Sequence, residues 1–220
     1  MQTSDNVARV MPRYYAQRAA EYERVFDKPH RQPDIAALKA WLRAQFAGRR
    51  VLEVATGTGF WLPEATAEAT AWLGTDINPE VLALAREKAL DFDRVSFQLA
   101  DAYALPASLA ACRFDAAFAG LWFSHVPVSR RAAWLAQLQA CLAPGARVVL
   151  IDNRYVAGDS TPIVRVDDEG NGFQQRQLSD GSTHEVLKNF PTAAEFEALL
   201  PGRRFEFREL DYFWTLVFEA

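Results

Sequence analysis

Arg50-Val51-Leu52-Glu53-Val54-Ala55-Thr56-Gly57-Thr58-Gly59 is a short apolar run that ends beside an acidic residue and opens into a glycine-rich turn. Val51, Leu52 and Val54 suit a strand buried on both faces, and Gly57 and Gly59 permit backbone conformations that a Cβ would obstruct. A ligand can approach the main chain at such a turn. A dinucleotide fingerprint needs G-x-G-x-x-G, and aligning Gly57 and Gly59 with its first two glycines leaves Leu62 at the third. The pattern is instead acidic-x-Ala-x-Gly-x-Gly.

Around this turn the chain alternates. Further apolar runs lie at Ala71 to Thr75, Val95 to Leu99, Ala116 to Ala119 and Arg147 to Ile151, with helix-like stretches between them. Strands alternating with helices predict a parallel α/β sheet. Helix boundaries are clearest for Glu80 to Leu90, after the start signal Asn78-Pro79, and for Arg130 to Leu142, before Pro144-Gly145. Upstream, Asp5 to Phe26 is polar, aromatic and compatible with two helical pieces, with Pro12 near a first turn. Pro33 to Phe46 then sets Ile35, Leu38, Leu42 and Phe46 at helical spacing, with Gly48 as the stop. Downstream, Asp152 to Asn189 is polar and glycine-punctuated, which predicts an insertion. Within it Phe173 to Leu178 and His184 to Lys188 flank Asp180-Gly181, a hairpin signal, so a β-ribbon is expected over the sheet edge. Pro191 to Leu200 predicts a helix capped by Thr192. Arg204 to Leu210 and Tyr212 to Phe218 predict an antiparallel terminal pair.

With 220 residues, half of them hydrophobic and 24% charged, one compact domain is expected. It divides into N-terminal helices over 1–46, a core over 48–151, an insertion over 152–190 and a terminal helix and strand pair over 191–220. A net charge of −4 gives no basic footprint for nucleic acid, so a small-molecule partner is favoured. The first residues lack a basic segment followed by an apolar core, and no apolar run reaches membrane-spanning length. A cytoplasmic protein without membrane attachment is expected, as a monomer or homodimer. Cys112 and Cys141 stand apart from each other and from His30, His125 and His184, which predicts buried free thiols and no metal site. His30 and His184 default to the surface.

Asp76 ends the second strand about twenty residues past the glycine turn, where a carboxylate can accept both hydroxyls of a ribose. The other reading is a helix cap, a role that Asn78 fills better. Asp101 follows the third strand, as a ligand residue or a turn residue. Glu53, Asp76 and Asp101 thus stand at the ends of successive strands, at the edge where doubly wound folds bind ligands.

Together these segments resemble class I S-adenosylmethionine-dependent methyltransferases from Gly48 through Ile151 and on to the final strand pair. The resemblance implies a Rossmann-like, mostly parallel sheet of seven strands with an antiparallel final strand, and S-adenosylmethionine as cofactor. It implies that Glu53 lies near the methionine end of the cofactor, that Ala55, Gly57 and Gly59 give it room, and that Asp101 faces the adenine. Thr56, Ile77, Ala102 and Gly120 complete the cofactor positions, joined by Tyr15. A narrower resemblance is carried by Leu121-Trp-Phe-Ser-His-Val-Pro127, and by Arg176-x-Leu178-x-Asp180-Gly181 followed by Val186-x-Lys188-x-Phe190. These segments resemble small bacterial O-methyltransferases acting on phosphonates such as 2-hydroxyethylphosphonate. In such enzymes the N-terminal segment, here with Tyr14, Tyr15, Arg18 and Tyr22, folds over the pocket as a lid; packing against the second helix is the alternative.

Arg176 supplies a planar fork and Lys188 a point charge, so that paired strands could bring both to one anion; a solvated ribbon is the alternative. Trp122 joins Tyr14, Arg18 and Tyr22 as an acceptor-side residue. His125 follows the fourth strand and is either a general base or a structural, substrate-orienting residue, because an anionic nucleophile needs no proton removed. The expected activity is methyl transfer to a small anionic metabolite, favouring oxygen. The rivals are an N- or phenolic O-methyltransferase of an uncharged molecule and a non-catalytic S-adenosylmethionine-binding protein.

Overall fold

The computed structural model describes residue 11 and residues 13 to 220; expectations for residues 1–10 and Pro12 lie outside the described residues. Strands β1 (Arg50–Val54), β2 (Ala71–Asp76), β3 (Val95–Leu99), β4 (Phe114–Gly120) and β5 (Leu142–Asn153) are the parallel part of a seven-stranded sheet. Its order is β3-β2-β1-β4-β5-β10-β9, closed by β9 (Phe205–Glu209) and β10 (Phe213–Glu219). Strand β10 runs antiparallel to both neighbours. The order turns back between β1 and β4, which opens a crevice at their carboxyl ends.

Strand periodicity divides the core. Val51 packs with Leu38, Leu42 and Phe46 of helix α2 (Gln32–Phe46), while Leu52 and Val54 face Trp134, Leu135 and Leu138 of helix α6 (Arg131–Ala140). Alternation therefore sends Glu53 to the Val51 side, into the core. Helices α3 (Leu62–Ala65), α4 (Pro79–Arg86), α5 (Ala107–Cys112) and α7 (Ala193–Leu199) fill the remaining connections. Thr192 and Glu195 form a reciprocal capping box at the start of α7. Ahead of α2, a helix over 13–18, α1, runs into a 3₁₀ helix at Ala19–Phe26.

Several boundaries differ from expectation, each for a local reason. Helix α4 ends at Arg86 rather than Leu90, because Asp91 starts a turn in which it accepts from Asp93 N and Arg94 Nε. Pro144-Gly145 does not stop α6, which ends at Ala140. It lies inside β5, where the pairing with β4 jumps from Phe114–Leu142 to Ala116–Arg147, and Gly145 has φ +75°.

The expected ribbon is the hairpin β7 (Gly172–Gln177) and β8 (Thr183–Leu187), and a third strand, β6 (Ile163–Val166), pairs with β7. The hairpin register sets Arg176 opposite His184, not opposite the neighbourhood of Lys188, whose amide instead donates to Gly172 O at 2.8 Å. Among the described residues no helix is long and apolar enough to cross a membrane. Both cysteines are free; Cys141 is buried, whereas Cys112 is only half-buried.

Candidate active site

The carboxyl edge of the sheet is shaped by two residues in an unusual backbone state. Ala55 follows β1 with φ 57° and Leu121 follows β4 with φ 58°, so the chain turns sharply on both sides of the crevice. Gly57 has φ +58°, and a Cβ built there meets nothing within 4 Å, which leaves its backbone open to a ligand. The Gly57 amide donates to Asp76 Oδ2 and the Asn78 amide to Asp76 Oδ1, both at 2.9 Å. Asp76 thus ties the glycine turn to the start of α4 and still faces the crevice. Burial raises its pKa, against the amides of Asn78, Gly57 and Ile77.

A cavity of about 230 Å³ follows from this arrangement. Ala55, Gly57, Asp76, Ile77, Asp101, Ala102 and Gly120 line it, with Tyr15 above. Trp122 lines this cavity too, rather than the acceptor side to which it was expected to belong, and its ring packs near Tyr103. Glu53, Thr56 and Gly59 do not line it. The Glu53 carboxylate accepts from Trp72 Nε1 at 3.0 Å beneath the turn, and burial pushes its pKa up to about 8. Thr56 is turned inward at 8% exposure. A Cβ on Gly59 would come within 2.7 Å of Leu62 and 3.1 Å of Ala85, so this glycine serves close packing on α3 and α4.

A second cavity, about 400 Å³, adjoins the first and is polar. Tyr14, Tyr15, Arg18, Tyr22, Arg176 and Lys188 all line it. Tyr14 packs not on α2 but in a small core with Phe173, Leu178, Val186 and Leu187, which seats α1 on the ribbon. The Arg18 guanidinium lies 5.9 Å and 5.3 Å from the ring centres of Tyr14 and Tyr22. Arg176 is held by Gln174 Oε1 at 3.1 and 2.7 Å.

Lys188 is not a free cation. Its ammonium donates to Ser124 Oγ at 2.6 Å, Asp152 Oδ1 at 2.7 Å and Asn153 Oδ1 at 3.3 Å, joining the ribbon to the ends of β4 and β5. Lys28, His30 and Arg31 converge on Asp159 and hold its carboxyl low in spite of burial. His184 is half-buried against Tyr14 rather than free on the surface, and His30 is exposed.

His125 lines both cavities. Its Nδ1 lies 2.6 Å from Leu187 O, which can only accept, so Nδ1 carries the hydrogen and Nε2 accepts from the Tyr15 hydroxyl at 2.7 Å. Burial, followed by the charges of Lys188 and Arg176, holds the imidazole well below its ordinary 6.5, and burial pushes Tyr15 up to about 12. Nε2 already has a partner and little basicity. The contribution of a depressed histidine is intact above pH 6.5 and falls as the pH drops, when the unfolded chain takes up a proton that the folded chain refuses. The slope approaches about 1.4 kcal/mol per pH unit. Urea unfolding between pH 7.5 and 5.5 is expected to show this extra loss in the native protein and not in His125→Asn, a comparison in which the opposite contribution of Glu53 cancels. Equal slopes would mean that the folded imidazole titrates normally.

Sequence reasoning missed Thr58 and Leu121 in the first cavity and Asn153, Gln174 and Gln175 in the second. The polar run Gln174-Gln175 beside Arg176 was a usable signal, whereas Leu121 stood only as the start of the motif ending at Pro127, with nothing to mark it as a cavity residue. Also missed was Glu23, which accepts from Thr58 Oγ1 at 2.7 Å and Lys88 Nζ at 2.6 Å, fastening the N-terminal segment to the glycine turn and to the residues just after α4.

A family model described as a methyltransferase domain matches residues 51–145, the stretch that contains the glycine turn and the acidic strand ends. The chain is an S-adenosylmethionine-dependent methyltransferase, and S-adenosylmethionine is its cofactor. Among solved structures it is similar to the DhpI-SAM-HEP complex, with 28% identity, coverage of 99% of this chain and 100% of that one, and a TM-score of 0.79. The DhpI-SAH complex is similar at 29% identity, with 98% of each chain covered and a TM-score of 0.76. The 1,6-didemethyltoxoflavin-N1-methyltransferase of Burkholderia thailandensis shares the fold at 16% identity, covering 100% of this chain and 91% of that one, with a TM-score of 0.65. No curated protein matches.

Proposed function

We propose that the protein transfers the methyl group of S-adenosylmethionine to an oxygen of a small anionic metabolite of the phosphonate type, in the cytoplasm. The observation that carries this reading is the charge of the second cavity. Its described lining residues include Arg18, Arg24, Lys28, Arg31, Arg176 and Lys188 against Asp159, and with Asp152 and Glu21, the partners of Lys188 and Arg24, six cations face three carboxylates. A cavity so lined favours an anion, and Arg176 offers a guanidinium fork at its wall. Full-length likeness to the DhpI-SAM-HEP complex supports the same acceptor class.

The first cavity fits the cofactor. The Asp76 carboxylate accepts from backbone amides and keeps lone-pair capacity for a ribose hydroxyl, Asp101 lines the same cavity as the candidate partner of the adenine, and the open Gly57 backbone admits the remainder. When bound, the cofactor supplies an electrophilic methyl on a sulfonium. The protein's part is to orient and to exclude water, with Tyr14, Tyr15 and Tyr22 of the N-terminal segment forming the cover and residues 152–190 forming the acceptor side. An anionic oxygen attacks without losing a proton, which agrees with an imidazole whose Nε2 is already bonded to Tyr15.

Asp76→Ala is expected to weaken S-adenosylmethionine binding by about 1–3 kcal/mol, the range for leaving buried partners unsatisfied. Calorimetry checks this, and unchanged affinity would remove Asp76 from the ribose site. The activity itself is tested by offering 2-hydroxyethylphosphonate, simple carboxylates, a phenol and an aromatic amine under one set of conditions. Oxygen methylation of the anions is expected. Turnover confined to the phenol or the amine would overturn the reading.

A further inference from the structure

The cofactor cavity and the polar cavity share one wall, made of Tyr15, Tyr22, Leu121 and His125. On the polar side the cations differ in how they are balanced. Lys28 and Arg31 share the carboxylate of Asp159, Arg24 lies 3.6 Å from Glu21, and Lys188 pairs with Asp152. Arg176 rests on the neutral amide oxygen of Gln174, and Arg18 lies near the tyrosine rings. Among the described residues neither Arg18 nor Arg176 forms an ion pair with a carboxylate. Two positive charges without a carboxylate partner among the described residues therefore stand behind the wall at which a methyl group has to cross. Their field reaches the wall itself, since Lys188, Arg176 and Arg18 all act to keep His125 neutral, after burial.

The group that carries the methyl is itself a cation, and it ceases to be one on transfer. An oxygen lone pair forms the new O–C bond as the S–C bond breaks with its electrons left on sulfur. The sulfonium becomes a neutral thioether and the acceptor loses one negative charge. We infer that the Arg18–Arg176 pair makes the site respond to the cofactor's charge: without an anion it favours neutral S-adenosylhomocysteine over S-adenosylmethionine, and an anion in the polar cavity reverses that preference. Anion and sulfonium then tighten each other reciprocally, as coupled sites must, and the transfer step cancels the attraction, so both products are released from it. This rests on the anionic acceptor proposed above.

Calorimetry on the full chain tests it with sulfate as an anion that is not methylated, at matched ionic strength. Sulfate is expected to tighten S-adenosylmethionine about tenfold more than S-adenosylhomocysteine, within the usual span of coupling between sites. In Arg176→Met and in Arg18→Met the difference should shrink at least by half, and the sulfate-free preference should move toward S-adenosylmethionine. The half-buried Arg18 keeps the test available if Arg176→Met folds poorly. If sulfate binds, by its own titration, but tightens both cofactor forms equally, the charge-reading role is overturned while the anion site stands. If sulfate does not bind at all, the anionic acceptor falls and this inference falls with it.

Discussion

Lys188→Met is expected to destabilise the protein by about 3–5 kcal/mol, the range for breaking a buried ion pair from one side. The side chains of Lys188 and Asp152 are 4% and 0% exposed, so the carboxylate left behind has no water to replace the ammonium. It would keep only the amides of Ser124 and Asn153, at 2.9 and 2.8 Å. Against a total of about 5–15 kcal/mol for a domain, the loss would be visible in urea denaturation as a large shift of midpoint. Adding Asp152→Asn removes the orphaned charge and keeps an acceptor, so the double variant should recover more than half of the loss. A single variant that loses less than about 1 kcal/mol would mean that water reaches the pair in solution. The residue read from sequence as half of an anion grip is thus chiefly the bolt between the ribbon and the main sheet.

Arg176→Met should act on function instead. Losing one charge-assisted contact is worth about 1.5–3 kcal/mol, which corresponds to a KM for 2-hydroxyethylphosphonate raised roughly 10- to 150-fold. The change should fall on KM more than on kcat, because the guanidinium would hold the acceptor equally before and during transfer. S-adenosylhomocysteine affinity should not weaken. Arg176→Lys should retain part of the effect, keeping charge without the fork. An unchanged KM would take Arg176 out of the acceptor site.

What was legible in the sequence follows the range of each interaction. Strand β1, its glycine turn, Asp76 and the Thr192 cap are local patterns, and the alternation of apolar runs carried the sheet. Strand β6 was not visible, because Ile163-Val164-Arg165-Val166 is four residues long and its Val164 and Val166 are 57% and 62% exposed. Pro144-Gly145 reads locally as a helix stop, and only pairing with β4 makes it a bulge. The site residues that depend on distant partners were the least readable. The Tyr15–His125 bond spans 110 positions and the Lys188–Asp152 pair spans 36, and neither separation leaves a periodicity. The hairpin register needed the full loop from Leu178 to Ser182, where Leu178 N donates to Ser182 O at 2.9 Å. The signal Asp180-Gly181 marks that loop but does not count its residues.

Ala55 occupies a position that usually takes glycine in this motif, and its φ of 57° shows why glycine suits it. A left-handed conformation costs an L-residue about 1–2 kcal/mol, but glycine would add disorder to the unfolded chain worth about 0.5–1 kcal/mol. The two partly offset each other, so Ala55→Gly should range from neutral to a gain of about 1.5 kcal/mol in stability. Drift between the two residues is tolerated at this site, and a search that insists on glycine there would overlook chains that fold and bind in the same way.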